Sequence, residues 1–405
     1  MSFFGQEHRK CCNSRYCSGQ KFAFLASKSI PREQIGLPLI IYFVCLSIFD
    51  FPTGAIADKW GGKGTYLLGV GVYGAGLVLY GMSTKFELFA ISKILLALGS
   101  AFMSGSLIAW YYSSLKRHGL TEEAKTIFGL VSASRTICGI LAGLIAYQLV
   151  SFDMTYPFLA GGAILFVATG LGLILMEENR GDSKGEKSFC RIMRNALRIS
   201  IREKDILYLL LGDALLSFAL IYYVYSWQLL FVDELKVPAK ILGILYTIGI
   251  LGALVGNFLS GFLLKKSNNF RAGFLSQSLI FVSYIGFALS HSLLLAILCV
   301  FIYNVGFGMY GPVLGIWLNE IIPDESRSSV LSLNSSLASI VAAAGSGFSG
   351  IIAASYGIKF GFIISVIPIA FATVLFYLSS FYGCKRVCVG RETLWCSIPS
   401  ESKLL

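Results

Sequence analysis

Four ionisable side chains interrupt stretches that are otherwise apolar: Asp50, Lys93, Arg135 and Asp213. A charge at the centre of a membrane helix costs about 2.5–3.5 kcal/mol on insertion scales, so each is a candidate functional group. Asp50 lies about eight residues, or ~12 Å of helix, inside one end of its run. Arg135 and Asp213 sit at comparable depth. Two readings are open. Arg135 neutralises Asp50 and the pair is structural, or the three charges form a network that binds a solute or coupling ion and rearranges. Lys93 lies nearer the outer third of its run, where a long side chain can snorkel to the interface.

A second group of residues could contact an organic solute. Tyr222, Tyr223 and Trp227, with Gln228 beside them, cluster in one run. In another, Tyr303, Tyr310 and Trp317 recur every seven residues and so share one helix face, with Asn304 adjacent. Asn334 sits within a later run. Packing or an interfacial aromatic belt is the alternative for such a stripe. Catalytic chemistry is not indicated: no Ser–His–acid or paired-carboxylate pattern is present, and GGKGT at 61–65 lacks the first glycine of a phosphate loop. The three histidines, His8, His118 and His291, are far apart. Cys11, Cys12 and Cys17, and Cys384, Cys388 and Cys396, lack zinc spacing. No enzyme activity, cofactor or metal is expected.

The elements that must position these groups follow from composition. Of 405 residues 56% are hydrophobic and only 14% charged, against roughly 25% charged in a soluble domain. Such a chain cannot cover a surface facing water, so the bilayer is its solvent. A spanning helix needs about 20 mostly apolar residues. Eleven stretches qualify: 35–57, 65–82, 87–111, 127–150, 156–176, 205–232, 238–264, 272–290, 293–318, 329–355 and 358–383. The expected class is all-α and polytopic. The net charge of +11 belongs to loops and anionic lipid rather than to nucleic acid. With the 58–64 loop in the cytoplasm, cytoplasmic segments hold 21 Lys and Arg and external loops four, namely Lys85, Lys236, Lys240 and Lys359. The N-terminal tail adds six, which eleven spans would leave outside.

The strongest local signal is FDFPTGAIADKWGGKG at 49–64, at the cytoplasmic end of the first span. Gly54 lets two helices approach closely. Asp58 stands at an interface where a carboxylate can face a helix N-terminus, and Lys59 and Lys63 can anchor the loop to the cytoplasmic leaflet. With Gly61 these residues fit G-x-x-x-D-(R/K)-x-G-x-(R/K). The pattern resembles the loop between helices 2 and 3 of the major facilitator superfamily, in a subgroup that opens it with an acidic-x-Pro-Thr-Gly stretch. SGSLIAW at 104–110 and GPVLGIWLNEIIPDESRSSVLSL at 311–333 extend the resemblance, which runs from about residue 24 to 383.

That resemblance implies twelve helices in two six-helix bundles. FAFLASKSIPREQIG looks like the end of helix 1, so most of that helix is absent and the eleven spans are helices 2 to 12. The implied organisation is a tail with a helix 1 remnant (1–34), an N-terminal bundle (35–176), a basic cytoplasmic linker (177–204), a C-terminal bundle (205–383) and a cytoplasmic tail (384–405). A shift of 207 residues brings Gly54 onto Gly261 and Trp110 onto Trp317, a faint repeat of the two halves. In this fold helices 5 and 8 face each other, and Gly139-x-x-x-Gly143 and Gly252-x-x-x-Gly256 are the expected contact. Asp58 would approach the start of helix 11, where Arg327 can pair with it. Gly62 stands where the family usually has Arg, and Ile108 where it has an acid.

The resemblance implies a secondary active or facilitative transporter of a small solute working by alternating access, with a proton as candidate coupling ion. Proton-coupled drug efflux is the rival within transport. A transport-incompetent relative acting as sensor, partner subunit or truncated product is the rival of another class. A multi-pass monomer in the cell membrane is expected, with the lipid bilayer and its solute as partners and no nucleic acid.

Overall fold

The computed structural model describes residues 37–60, 62–103, 106–107, 110, 114, 124–177, 197–266, 269–322 and 327–390. Among them there is no strand. Eleven long helices follow one another: α1 Leu37–Trp60, α2 Gly62–Met82, α3 Phe86–Met103, α4 Ala124–Val150, α5 Tyr156–Leu175, α6 Lys204–Leu229, α7 Leu242–Lys266, α8 Asn269–Ala288, α9 Leu293–Ile321, α10 Arg327–Tyr356 and α11 Ile358–Gly390. Each corresponds to one span expected from the sequence. Among the described residues eight contain a stretch long and apolar enough to cross a membrane, while α1 and α4 contribute shorter apolar runs, Leu37–Phe49 and Ile137–Val150.

The connections are tight. The loop expected at 58–64 is mostly helix, since α1 runs to Trp60 and α2 starts at Gly62. Gly357 alone separates α10 from α11, with φ +87°, a conformation in which a Cβ is strained. Ser292 caps α9 by accepting from the Leu295 amide at 3.3 Å. After Leu229, α6 widens into one π turn, Leu230–Glu234.

Contacts sort the helices into two groups. In the first, α1 and α2 pack on α3, and α2 packs on α5. In the second, α6 packs on α10 and α11, α9 on α7 and α8, and α8 on α11. Lipid is as apolar as leucine, so close packing rather than water exclusion holds such helices together. Small residues allow it. A Cβ on Gly99 of α3 would lie 2.6 Å from the Tyr73 nitrogen of α2. Gly252 and Gly256 of α7 press on the Phe301 and Val305 carbonyls of α9. That corrects the expectation that they face α4: they bind α7 to its own group.

Two seams join the groups, α1 with α10 and α4 with α7. The 207-residue repeat carries α1 onto α7 and α4 onto α10, so the seams are related by it. At one, Gly143 meets Thr247 and the Gly243 carbonyl; at the other, a Cβ on Gly347 would touch the Ile40 side chain. Ile40 plus 207 is Thr247. Both contacts lie within about 15 Å, by helical rise, of the helix ends that the charge count places outside.

The repeat is uneven on its flank. Gly345 and Phe348 of α10 pack on Ile221 and Phe218 of α6, and Ser349 and Ile352 are buried. The positions 207 residues earlier on α4 are Cys138, Leu141, Ala142 and Ile145, and all four are exposed.

Candidate functional site

Asp213 stands in mid-α6, nine residues from Lys204, and is 4% exposed. The Tyr310 hydroxyl of α9 donates to its Oδ1, and the Asn334 amide Nδ2 of α10 donates to Oδ2 at 2.8 Å. Three helices therefore converge on one carboxylate. Among the described residues no cation pairs with it. The apolar wall comes from α11, where Phe376 lies over Gly212 and parallel to the Tyr310 ring at 6.3 Å. Asn334 is 5% exposed, and its Oδ1 is buried without a hydrogen bond. The sequence reading named all three residues but did not bring them together. Residue spacing along one helix does not reveal contacts among three.

The other intramembrane charges fare differently. Asp50 is in α1 and Arg135 in α4, but both side chains lie outside the described residues. Lys93 does not snorkel. It is 3% exposed, with Nζ 5.0 Å from the Tyr80 ring centroid and 6.0 Å from that of Tyr42. Aromatic faces carry negative charge density that attracts an ammonium. The rings of α1 and α2 thus hold the cation inside the first group of helices.

The aromatic candidates divide. Tyr222 turns to α11, donating to the Ile358 carbonyl at 2.7 Å and lying over Gly361. Its place is a helix contact. Tyr223 stacks on Tyr303 with centroids 3.6 Å apart, leans on Trp227, and accepts from Asn304 Nδ2 at 3.3 Å. Asn304 is half-buried. Gln228 is fully buried. Tyr303, Tyr310 and Trp317 do share one buried face, as their spacing requires.

Within the motif, Lys63 departs from its expected role at the leaflet. It is 8% exposed and donates to the Leu173 carbonyl at 3.1 Å, in the last turn of α5. Trp110 Nε1 donates to the Glu177 carbonyl at 2.9 Å just beyond. Carbonyls at a helix end lack intrahelical partners and carry partial negative charge, so a cation and an indole N–H suit them. Gly62 makes this corner possible: a Cβ there would lie 2.7 Å from the Ser106 carbonyl. The place where the family usually has Arg has no room for a side chain here. Gly54, Asp58 and Lys59 belong to α1 and Arg327 opens α10, but their side chains, and Gly61 altogether, lie outside the described residues.

A family model described as Major Facilitator Superfamily matches residues 19–315. The chain is 24% identical over 362 residues to the uncharacterized MFS-type transporter YxaM of Bacillus subtilis (strain 168), covering 87% of this chain and 89% of that one. Its fold is similar to that of the nucleoside transporter NupG, with TM-score 0.74, 14% identity and coverage of 91% and 96% of the two chains. It is also similar to a bacterial homolog of the human lysosomal transporter Spinster in an inward-facing, unoccupied conformation, with TM-score 0.67, 16% identity and coverage of 92% and 94%.

Proposed function

Because the chain belongs to the major facilitator superfamily and is a multi-pass membrane transporter of a small solute, we propose that it works by alternating access, its two helix groups rocking about the α1–α10 and α4–α7 seams. The observation that carries this reading is the repeat relation of those seams. Two small-residue contacts, Gly143 on Thr247 and Gly347 on Ile40, in which Ile40 and Thr247 are repeat partners, let one group tilt against the other without repacking either interior. They close the face that the charge asymmetry places outside, and the solute then enters or leaves from the cytoplasmic side.

On this reading residues 35–176 and 205–383 are the moving bundles and 177–204 the tether between them, and the protein is a monomer in the cell membrane. Tyr223, Trp227 and Asn304 offer a stacking face and an amide to the solute, whereas Tyr222 holds α11. Asp58 and Arg327 form the cytoplasmic lock.

The test uses purified protein in liposomes, with cysteines at Ile40 and Gly347 in a background freed of its other thiols. A short bifunctional thiol reagent should join the seam, abolish solute flux, and release it on reduction. Full flux through the joined protein would rule out rocking at this seam.

A further inference from the structure

We propose that Asn304 and Phe307, neighbours on α9, form a solute subsite that accepts a hydrogen bond from the edge of a flat ring. It selects uncharged solutes with an N–H or O–H donor over anions and over analogues whose donors are alkylated. This rests on the reading of the chain as a transporter and names the class of solute. The observation behind it is that both hydrogens of the Asn304 amide are taken up inside the protein. Nδ2 donates to the Tyr223 hydroxyl at 3.3 Å and to the Val300 carbonyl at 2.7 Å, while among the described residues none donates to Oδ1.

The amide is held in one sense. A carboxamide has two donors on its nitrogen and an acceptor on its oxygen. Reversed, its oxygen would face the Val300 carbonyl oxygen, acceptor against acceptor. Nδ2 is therefore fixed toward the protein, and Oδ1 is the atom left for a ligand. Asn304 is half-buried, so part of it is open. The Tyr223 hydroxyl keeps the amide in this sense and is a positioning residue.

Phe307 supplies the flat face. The sequence reading did not single it out. It follows Asn304 by three positions, which makes the two side chains neighbours on the helix surface, and it too is half-buried. Its ring is parallel to that of Tyr303 within 5°, with centroids 6.1 Å apart, and Tyr303 stacks in turn on Tyr223. Those two rings are buried, so Phe307 is the open end of the stack. It does not share the exposed outer side of α9: Leu298, 51% exposed, stands nine residues earlier, half a turn around the helix. An aromatic face carries negative charge density, as does Oδ1. Together they disfavour a carboxylate and favour the positive edge of an N–H.

The subsite lies beside the contact that closes. Asn304 lies over Gly249 of α7, where a Cβ would be 3.0 Å from Nδ2. Thr247, about 3 Å of helix nearer the end that the charge count places outside, meets Gly143 across the seam. A solute that reaches Asn304 from the cytoplasmic side thus has the α4–α7 seam directly beyond it.

Nicotinamide, N,N-dimethylnicotinamide and nicotinate test the class. They share one ring and differ at its edge, which carries an N–H donor, no donor or a carboxylate. Their binding to the full chain in nanodiscs can be read by saturation-transfer NMR. Nicotinamide should bind about three- to tenfold more tightly than either of the others, the range of one neutral hydrogen bond. Asn304→Leu, which nearly keeps the volume, should level the three to within about twofold of one another. Phe307→Leu should weaken all three and keep their order. Tyr223→Phe takes one oxygen from an intact stack and lets the amide turn, so the preference for nicotinamide should shrink even where Asn304→Leu does not fold. No binding of nicotinamide, an order in which it is not first, or a preference unchanged in Asn304→Leu or Tyr223→Phe would overturn the subsite. In liposomes, uptake should follow the same order. Binding in that order without uptake would keep the subsite and overturn the transport reading; uptake of the three without order would keep transport and overturn the subsite.

Discussion

Gly143 on α4 and Gly243 on α7 meet backbone to backbone: a Cβ on Gly243 would lie 2.5 Å from the Gly143 carbonyl oxygen and 2.8 Å from the Tyr147 nitrogen. Nothing but hydrogen fits between them. Side chains forced into such a contact cost about 1–3 kcal/mol. Here the strain falls between the groups and can be relieved by parting them. Gly243→Val should therefore open the external face, shifting the conformational equilibrium by roughly 5- to 150-fold. Spin labels on the loops after α4 and α6 would report the longer distance. The same change at Gly252, which presses on α9, should lower yield and leave that distribution alone.

The corner at the end of α5 gives a stability prediction. Lys63 donates a charge-assisted bond to the Leu173 carbonyl, and a hydrogen bond involving a charged group contributes about 1.5–3 kcal/mol. Lys63→Met should lower the unfolding temperature in nanodiscs, and Lys63→Arg should recover part of it. Trp110→Phe, which loses a neutral bond to Glu177, should cost about 1 kcal/mol. An unchanged Lys63→Met would make the contact incidental.

Lys93 and Tyr80 should be coupled. With Nζ 5.0 Å from the ring centroid and both residues buried, a double-mutant cycle of Lys93→Met and Tyr80→Leu should yield about 0.5–2 kcal/mol. Additive effects would mean that the ring acts only by filling space.

At the cytoplasmic face, Asp58 closes α1 and Arg327 opens α10, the two helices of one seam. A carboxylate near a helix N-terminus gains about 0.3–1 kcal/mol, up to ~2 when partly buried. Asp58→Asn should shift the population toward the inward-open state by about five- to thirty-fold, corresponding to roughly 1–2 kcal/mol. Distances between spin labels on the exposed positions Gly64 and Glu320 should lengthen; an unchanged distribution removes the lock.

Much of this architecture was legible in the residues. Hydropathy and length placed every one of the eleven helices, because each must satisfy its backbone alone in lipid. The seven-residue rhythm of Tyr303, Tyr310 and Trp317 gave their common face. Contacts between helices were less accessible. Gly143 was assigned to Gly252 and Gly256 rather than to Gly243, since several glycines of α7 lie along the same helix and the sequence does not tell which faces which neighbour. Lys63 was read as a leaflet anchor and Lys93 as an intramembrane charge able to snorkel, because their partners, a carbonyl 110 residues away and two aromatic rings on other helices, leave no trace in local spacing. The repeat held an unused clue: Ile40 and Thr247, the seam residues facing Gly347 and Gly143, are 207 positions apart.

The exposed stripe of Cys138, Leu141, Ala142 and Ile145 on α4 gives the two halves different solvents. On α10 the equivalent surface meets protein, whose shape is fixed. On α4 none of the described residues covers it, so in a bilayer it faces acyl chains, whose order depends on chain length, sterols and temperature. The first half is therefore the one whose packing follows membrane composition. Stripping lipid with a harsh detergent removes cover from α4 and leaves α10 as it was, so the molecule would lose its symmetry of stability before it lost its helices. The seam between α4 and α7, carried on that same helix, would then be tuned by the bilayer, while its partner between α1 and α10 would be tuned from within.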